Sequence, residues 1–233
     1  MRQFGNLAII IFGPPGSGKG TQAQLLADKL DYVHFDTGRY IRELLYNPKF
    51  NKNKTIKKER QLNKSGKLNT TPWVLKIVDK KIDEINRLKK GIILSGSPRT
   101  ILEAFGNNKN RGIMKVLEKD YGKKNIFIFV LNIPEKESIK RNSHRLICSV
   151  CRSPILGIIK RCNIKICPFC GGKLESRFDD KKEIVVQRMK EYRRQTYPII
   201  KELKKRKFKI ININAAAMPY KIYSQISKKI LNK

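Results

Sequence analysis

Residues 7–21 read LAIIIFGPPGSGKGT. Leu7 to Phe12 is apolar throughout, the pattern of a strand buried on both faces of a parallel sheet. The run passes directly into Gly13-Pro14-Pro15-Gly16-Ser17-Gly18-Lys19-Gly20-Thr21, which fits G-x-x-x-x-G-K-x-T. Helical spacing follows at once, with Ala23, Leu26, Ala27 and Leu30 as one stripe over residues 21–30. Strand, glycine loop and helix in that order predict a phosphate-binding loop. Glycines at this point let the backbone N–H groups of residues 16–21 turn inward around phosphate oxygens. The helix that follows adds its N-terminal dipole. Lys19 is expected to reach the β and γ phosphates, and the Thr21 hydroxyl to lie near the phosphates or Mg²⁺. An ordinary glycine turn after a strand is the competing reading, and the lysine in its place argues against it.

Outward from this stretch, short strands alternate with helices. Strands are expected at Tyr32–Phe35, Gly91–Leu94, Asn125–Asn132 and Phe208–Ile213. Helices are expected at Gly38–Tyr46, Pro72–Lys89, Pro134–Arg145 and Tyr220–Leu231. Lys49–Lys67 reads as polar, basic and helical in part, and Lys181–Lys207 as a long basic helix with Pro198 as a possible break. Such alternation implies an α/β fold, a central parallel sheet flanked by helices and joined by right-handed crossovers. No internal repeat is visible.

The chain has 233 residues, enough for one domain with small insertions and a core that needs no disulfides. A mean hydropathy of −0.47 and the shortness of the apolar run at residues 7–12 argue against a membrane span or a secretory signal. Lys and Arg number 52 against 19 Asp and Glu, a net charge of +33. That excess has two readings. One is a polyanionic partner such as nucleic acid, bound without sequence preference. The other is compositional bias, because Lys, Ile and Asn share A/T-rich codons and lysines recur on plain helix surface (Lys89, Lys90, Lys204, Lys205). The basic residues are scattered, and aromatics make up 8 %, which leaves little stacking surface for single strands.

All five cysteines fall between residues 148 and 170. Cys148-Ser-Val-Cys151 and Cys167-Pro-Phe-Cys170 form two C-x-x-C knuckles at a separation that suits a four-thiolate zinc site. Disulfides are the alternative, disfavoured by the lack of a secretory signal and of cysteines elsewhere. Cys162 is left over. A structural Zn²⁺ would hold a small segment that lacks a core of its own.

Gly13 to Gln22 (GPPGSGKGTQ) resembles the signature loop of adenylate kinases and related nucleoside monophosphate kinases, and the resemblance extends over nearly the whole chain. Asp36-Thr37-Gly38 with Arg42 resembles the segment that holds the AMP base and phosphate. Gly66-Lys67-Leu68 resembles the edge of the AMP-binding insertion. Gly96, Pro98, Arg99 and Thr100 match four positions of the family's D-G-F-P-R-T motif. Arg141 and Arg145 resemble the arginines entering the lid, Arg177-Phe-Asp179-Asp180 and Arg188 the segment leaving it, and Tyr192, Thr196 and Pro198 the helix beyond.

The resemblance implies a P-loop kinase that converts Mg·ATP and AMP into two ADP, as a cytoplasmic monomer. The cell would be a bacterium with an A/T-rich genome. Lys19, Arg99, Arg145, Arg177 and Arg188 would act in catalysis, and Gly16, Ser17, Gly18, Lys19, Gly20, Thr21 and Arg145 would hold ATP. Thr37, Arg42, Lys67, Leu68, Asn69, Gly96, Arg99, Glu103, Arg177 and Arg188 would bind AMP. Cys148, Cys151, Cys167 and Cys170 would bind zinc in the lid. The implied parts are a core (1–36, 72–143, 181–233), an AMP-binding insertion (37–71) and the lid (144–180).

Several positions depart from the family pattern. Ser95 replaces the acid that orients water on Mg²⁺, and Arg39 the acid after Thr-Gly, which leaves Asp36 as the nearby carboxylate. Ser97 replaces the motif's Phe. Glu103 replaces the Gln that reads the AMP base, and an ionised Glu accepts hydrogen bonds without donating them. Arg152 and Ile155 stand where the lid carries Gly then Tyr, and Asn214-Ala215 stands for Asp-Gly. Two further readings therefore stay open: a kinase for another nucleoside monophosphate, and a weakly active kinase scaffold that binds nucleic acid.

Overall fold

The computed structural model describes residues 6–155 and 164–231, and Cys162 lies outside them. Its elements in chain order begin with β1 (Ala8–Phe12), α1 (Lys19–Leu30), β2 (Val33–Asp36), α2 (Thr37–Leu45), α3 (Lys54–Lys64) and α4 (Thr71–Arg87). β3 (Ile92–Ser95), α5 (Ile101–Phe105), the small hairpin β4 (Gly106–Asn107) and β5 (Asn110–Arg111), and α6 (Ile113–Tyr121) follow. Next come β6 (Ile126–Asn132), α7 (Glu135–Ser143), β7 (Leu146–Cys148), β8 (Pro154–Ile155) and β9 (Leu174–Ser176). The chain closes with α8 (Lys182–Glu191), α9 (Tyr197–Lys205), β10 (Ile210–Asn214) and α10 (Pro219–Leu231).

Five strands form one parallel sheet in the order β10-β6-β1-β3-β2. Because successive side chains point to opposite faces, β1 feeds two cores. Ala8, Ile10 and Phe12 join α4, α6 and α9 on one side. Ile9 and Ile11 join α1 and α10 on the other. This double burial is why residues 7–12 show no polar alternation. The cysteine segment forms a separate three-stranded antiparallel sheet, β8-β7-β9. Among the described residues no helix is long and apolar enough to cross a membrane.

Two stretches differ from the sequence expectation. Residues 101–121 carry two helices and a hairpin that the pattern did not announce, because α5 is only five residues long and shows too little periodicity. The long basic helix is broken one turn earlier than Pro198 suggests. A π turn at Tyr192–Thr196 separates α8 from α9, with the Tyr197 N–H donating to Tyr192 O. Proline cannot donate and its ring crowds the carbonyl four residues back. The wider turn relieves that crowding, and π turns often mark functional positions.

Candidate active site

The glycine loop leaves the carboxyl end of β1, whose neighbours are β3 and β6. The chain winds away to either flank from here, which is where open α/β sheets bind ligands. Gly16 has φ +77°, and a Cβ there would lie 2.5 Å from Asn142 Nδ2 and 2.8 Å from Ser138 O. Helix α7 therefore backs the loop closely. The Ser138 hydroxyl donates to Pro15 O at 2.5 Å, and Asn142 Nδ2 to Ser138 O at 2.7 Å. Gly18 opens α1 in a left-handed conformation with no side-chain cap, so the first-turn N–H groups face the loop as an anion site. Ser17 is fully buried in the loop, and Gly20 and Thr21 lie in the first turn of α1. Lys19 Nζ donates to Gly13 O at 2.7 Å and Pro14 O at 2.9 Å. Burial, with Arg99, Arg188 and Arg145 nearby, lowers its pKa to about 7.

At the end of β2, Asp36 caps α2 by accepting the Arg39 N–H at 3.0 Å. Burial pushes the Asp36 pKa up, but Arg42, the Arg39 N–H, His34 and Arg99 outweigh it and hold the carboxyl below its ordinary value. Arg99 Nη2 and Arg42 Nη1 lie 3.1 and 3.4 Å from the place a Gly38 Cβ would take, so both guanidiniums sit over the start of α2. Burial, then Arg177, brings the Arg42 pKa down to about 9, still charged at neutrality. Arg99 is steered by its Nε bond to Gly96 O at 2.6 Å and by Thr196 Oγ1, which donates to Arg99 O at 3.0 Å. Gly96 has φ +99°, and a Cβ there would crowd Arg99 Nη2 at 3.2 Å.

The remaining arginines gather on two buried aspartates at the lid exit. Arg177 grips Asp179 with two bonds, the Nε one at 2.8 Å, and Arg145 grips Asp180 likewise at 2.8 Å. Arg188 Nη1 donates to Asp179 O at 3.0 Å and pairs with Asp179 Oδ2 at 3.3 Å and Asp180 Oδ1 at 3.6 Å. Burial pushes the Asp179 carboxyl up, yet Arg188, Arg177 and Arg42 prevail and hold it far below the usual carboxylate range. Burial first, with Arg177 and Arg145 adding to it against Asp179, takes the Arg188 pKa down to about 10. Six cations (Lys19, Arg42, Arg99, Arg145, Arg177, Arg188) thus meet three carboxylates (Asp36, Asp179, Asp180). That surplus of positive charge is what clustered phosphates balance.

Several of these groups border one open cleft. Lys19, Gly38, Arg42, Lys67, Leu68, Asn69, Gly96, Arg99 and Arg188 are among its walls. A smaller side cavity opens beside it, lined by Thr37, Ile41, Leu68, Val74 and Glu103 among others. Arg145 and Arg177 are not wall residues; they reach the cluster through the aspartates. The Asn69 side chain is spent on support, donating to Glu59 O and Oε2 at 2.9 Å. Glu59 also accepts the Thr70 N–H at 2.9 Å, so this buried acid holds the strip 67–70 in place. Sequence reading missed it, although it is the one acid in basic α3. Ser138 and Asn142 were missed too, despite an i, i+4 spacing that puts both on one face of α7.

Two departures acquire a structural account. Ser95 is buried and its hydroxyl meets His34 Nε2 at 2.7 Å, so the position lost to the acid is closed by a neutral pair. Arg39 turns outward to Glu43 at 2.9 Å. Asp36 Oδ2 lies 3.7 Å from a Cβ position on Gly20 and faces the phosphate loop. Arg141 ties α7 to the turn after β10 through Ala215 O at 2.8 Å and Ala216 O at 3.0 Å.

In the lid, the Sγ atoms of Cys148, Cys151, Cys167 and Cys170 all lie within 4.8 Å of one another. Cys148 to Cys170 is 3.4 Å and Cys151 to Cys167 3.7 Å. A tetrahedral ion with 2.3 Å Zn–S bonds sets its sulfurs about 3.8 Å apart, so the cage is of metal-site size and too open for disulfides. Both knuckles make the same turn, with the Val150 N–H donating to Cys148 Sγ at 3.3 Å and the Phe169 N–H to Cys167 Sγ at 3.4 Å. The four thiols suit a metal ion.

A parallel sheet with a glycine loop at its switch point and a guanidinium-lined cleft beside it defines a P-loop phosphoryl-transfer kinase. The family model described as adenylate kinase matches residues 11–208. An adenylate kinase of Thermosipho africanus is 33 % identical over 210 residues, covering 89 % of this chain and 92 % of that protein. One of Methanothrix thermoacetophila is 32 % identical over 225 residues (97 % and 98 %). One of Borreliella burgdorferi is 34 % identical over 230 residues (97 % and 100 %). The chain belongs to the adenylate kinase family, whose activity is ATP:AMP phosphotransfer with Mg·ATP.

Proposed function

We propose that this chain carries out the family's reaction, Mg·ATP + AMP ⇌ 2 ADP, with a specific division of labour. Mg²⁺ enters as part of the substrate. Lys19 and the N–H groups of residues 16–21 bind the β and γ phosphates, where the dipole of α1 favours negative charge. Arg42 and Arg99 bind the AMP phosphate beside the start of α2. Arg145, Arg177 and Arg188 neutralise the charge that spreads over the equatorial oxygens of the transferring group. Their forks are pre-oriented by Asp179 and Asp180, so little ordering cost falls on the reaction itself. Thr37, Leu68 and Glu103 receive the base in the side cavity, with Lys67, Asn69 and Gly96 on the cleft wall.

The supporting observation is that Lys19, Arg42, Arg99 and Arg188 line one cleft at the sheet's switch point, with Arg145 and Arg177 tied to it through Asp180 and Asp179. Segments 37–71 and 144–180 act as two closing insertions, which exclude the water that would otherwise hydrolyse ATP. Zn²⁺ is the ion the four thiolates suit, and its part is structural: it contributes folding energy to the lid. Reduced thiols fit a cytoplasmic setting.

A coupled assay of ADP formation from Mg·ATP with AMP, GMP, CMP and UMP tests the reading. Transfer to AMP that disappears in Lys19→Ala is the expected result. A folded protein that binds ATP and transfers to no monophosphate would overturn it, and the polyanion-binding reading would then stand.

A further inference from the structure

The side cavity is lined by one carboxyl group, that of Glu103. Glu103 lies in the first turn of α5 and is 2 % exposed. Its Oε2 accepts the Arg99 N–H at 2.7 Å, which fixes one carboxyl oxygen, and its backbone N–H donates to Thr100 Oγ1 at 3.0 Å, which caps the helix. Ile41, Leu68 and Val74 give the cavity apolar walls. Thr37 Oγ1, also on the cavity, is buried with no hydrogen-bond partner among the described residues. No ion pair neutralises Glu103 among those residues, because the Arg99 guanidinium is engaged with Gly96 O.

The pairing edges of the purines decide what such a group can recognise. Adenine offers an amino donor at N6 beside an acceptor at N1. Guanine offers two donors side by side, N1–H and the N2 amino group. A carboxylic acid has one donor and one acceptor, whereas a carboxylate has acceptors only. The acid therefore complements adenine: its O–H donates to N1 while the second lone pair of Oε2 accepts from N6. The carboxylate complements guanine alone, accepting from N1–H and N2–H; the acid can meet guanine too, at O6 and N1–H, so it is the carboxylate that discriminates.

We propose that the protonation state of Glu103 selects the acceptor base, the neutral acid taking AMP and the carboxylate taking GMP, so that preference for AMP falls as pH rises. This rests on the reading that the side cavity receives the acceptor's base. Burial raises the Glu103 pKa to about 7 against the Arg99 N–H and the Arg99 charge, so both forms are populated near neutrality. Helices α4, α6 and α9 pack on α5, yet no ionisable side chain of theirs acts on the carboxyl. Arg99 is the one charge that does, and Ser97 is the nearby hydroxyl.

The test is calorimetric titration of the wild-type protein with AMP and with GMP at pH 8, in buffers of different ionisation enthalpy. The two nucleotides carry the same phosphate, so proton changes at the phosphate or at Lys19 cancel between them. AMP is expected to take up close to one proton more than GMP. In Glu103→Gln that difference vanishes, and the wild-type affinity for AMP relative to this variant falls about tenfold per pH unit above 7. Equal proton counts, or a wild-type to variant ratio that does not change with pH, overturn the inference while leaving phosphotransfer to AMP intact. GMP that fails to bind even at pH 9 also overturns it. Failure of both nucleotides to bind, with no transfer in the coupled assay, defeats the underlying reading as well.

Discussion

The parallel sheet and the cysteine lid of one chain are stabilised by different physics. In the sheet, β1, β3 and β6 bury every residue but Asn132, and helices cover both faces. Burial at about 25 cal/mol per Å² of apolar surface is enough to hold such an element. Among the described residues the lid's apolar cluster is Cys148, Ile155 and Cys167, with Leu146 and Leu174 packed on them. The lid leaves Val150, Ile166 and Phe169 exposed. Two of that cluster's three buried residues are proposed metal ligands. A segment this small needs a staple, and the proposed metal on four thiols within one ion's reach would supply it. The site lies between the two regimes: the rigid sheet fixes the phosphate loop, and the stapled lid carries Arg145 and Arg177.

Loss of the loop's cation should have the largest effect. Lys19→Ala is expected to cut transfer by about 10³-fold while leaving melting and metal content unchanged, as followed by turnover, calorimetry and metal analysis. The contrast between regions is sharpest in the next pair. Ile10→Ala, in the fully buried β1, should lower global stability by about 2–5 kcal/mol and leave the metal bound. Cys167→Ser, or chelation, should release the metal and open the lid to hydrogen exchange, with the sheet's amides still protected. Turnover should drop on the order of 10²-fold. A single unfolding transition that shifts equally in both variants would show that lid and sheet are one cooperative unit.

A smaller effect is expected at Glu59. Its removal as Glu59→Ala leaves the Thr70 N–H unpaired and Asn69 Nδ2 with its bond to the backbone O of residue 59 alone, at a cost of about 1–3 kcal/mol. The strip 67–70 lines the cleft, so KM for AMP should rise more than kcat falls. The mildest change is acid loosening of the lid exit. Asp179 has a depressed native pKa. Its stabilisation is therefore complete above the unfolded value near about 4 and fades as pH falls below it. Hydrogen exchange at residues 176–180 should rise below about pH 4, with no matching change around pH 6 to 8 from this group.

Much of this was legible because it was local. The phosphate loop depends on glycines, a lysine and a flanking strand and helix, all contiguous in residues 7–30. The knuckles depend on two-residue spacings within a short segment. The family resemblance then supplied the arginines. What stayed hidden was relational. Asp179 and Asp180 read as part of a lid-exit motif, not as the anchors of three arginines. Ser95 read as a lost acid, without the histidine that meets it from β2. Glu103 read as a base-reading position, whereas its burial raises its pKa against the opposing bond from the Arg99 N–H. No pattern along the chain encodes distances between residues that far apart in sequence.

By itself, then, the amino-acid order determined the parallel α/β class, the phosphate loop and the four-thiol lid, since each follows from periodicity or spacing over a few tens of residues. Tertiary structure alone decided which cations share a cleft, which carboxylates hold them, and which acid is buried enough to change its charge. Those outcomes depend on desolvation and on charges brought together through space, and both exist only once the sheet, its helices and the lid have packed.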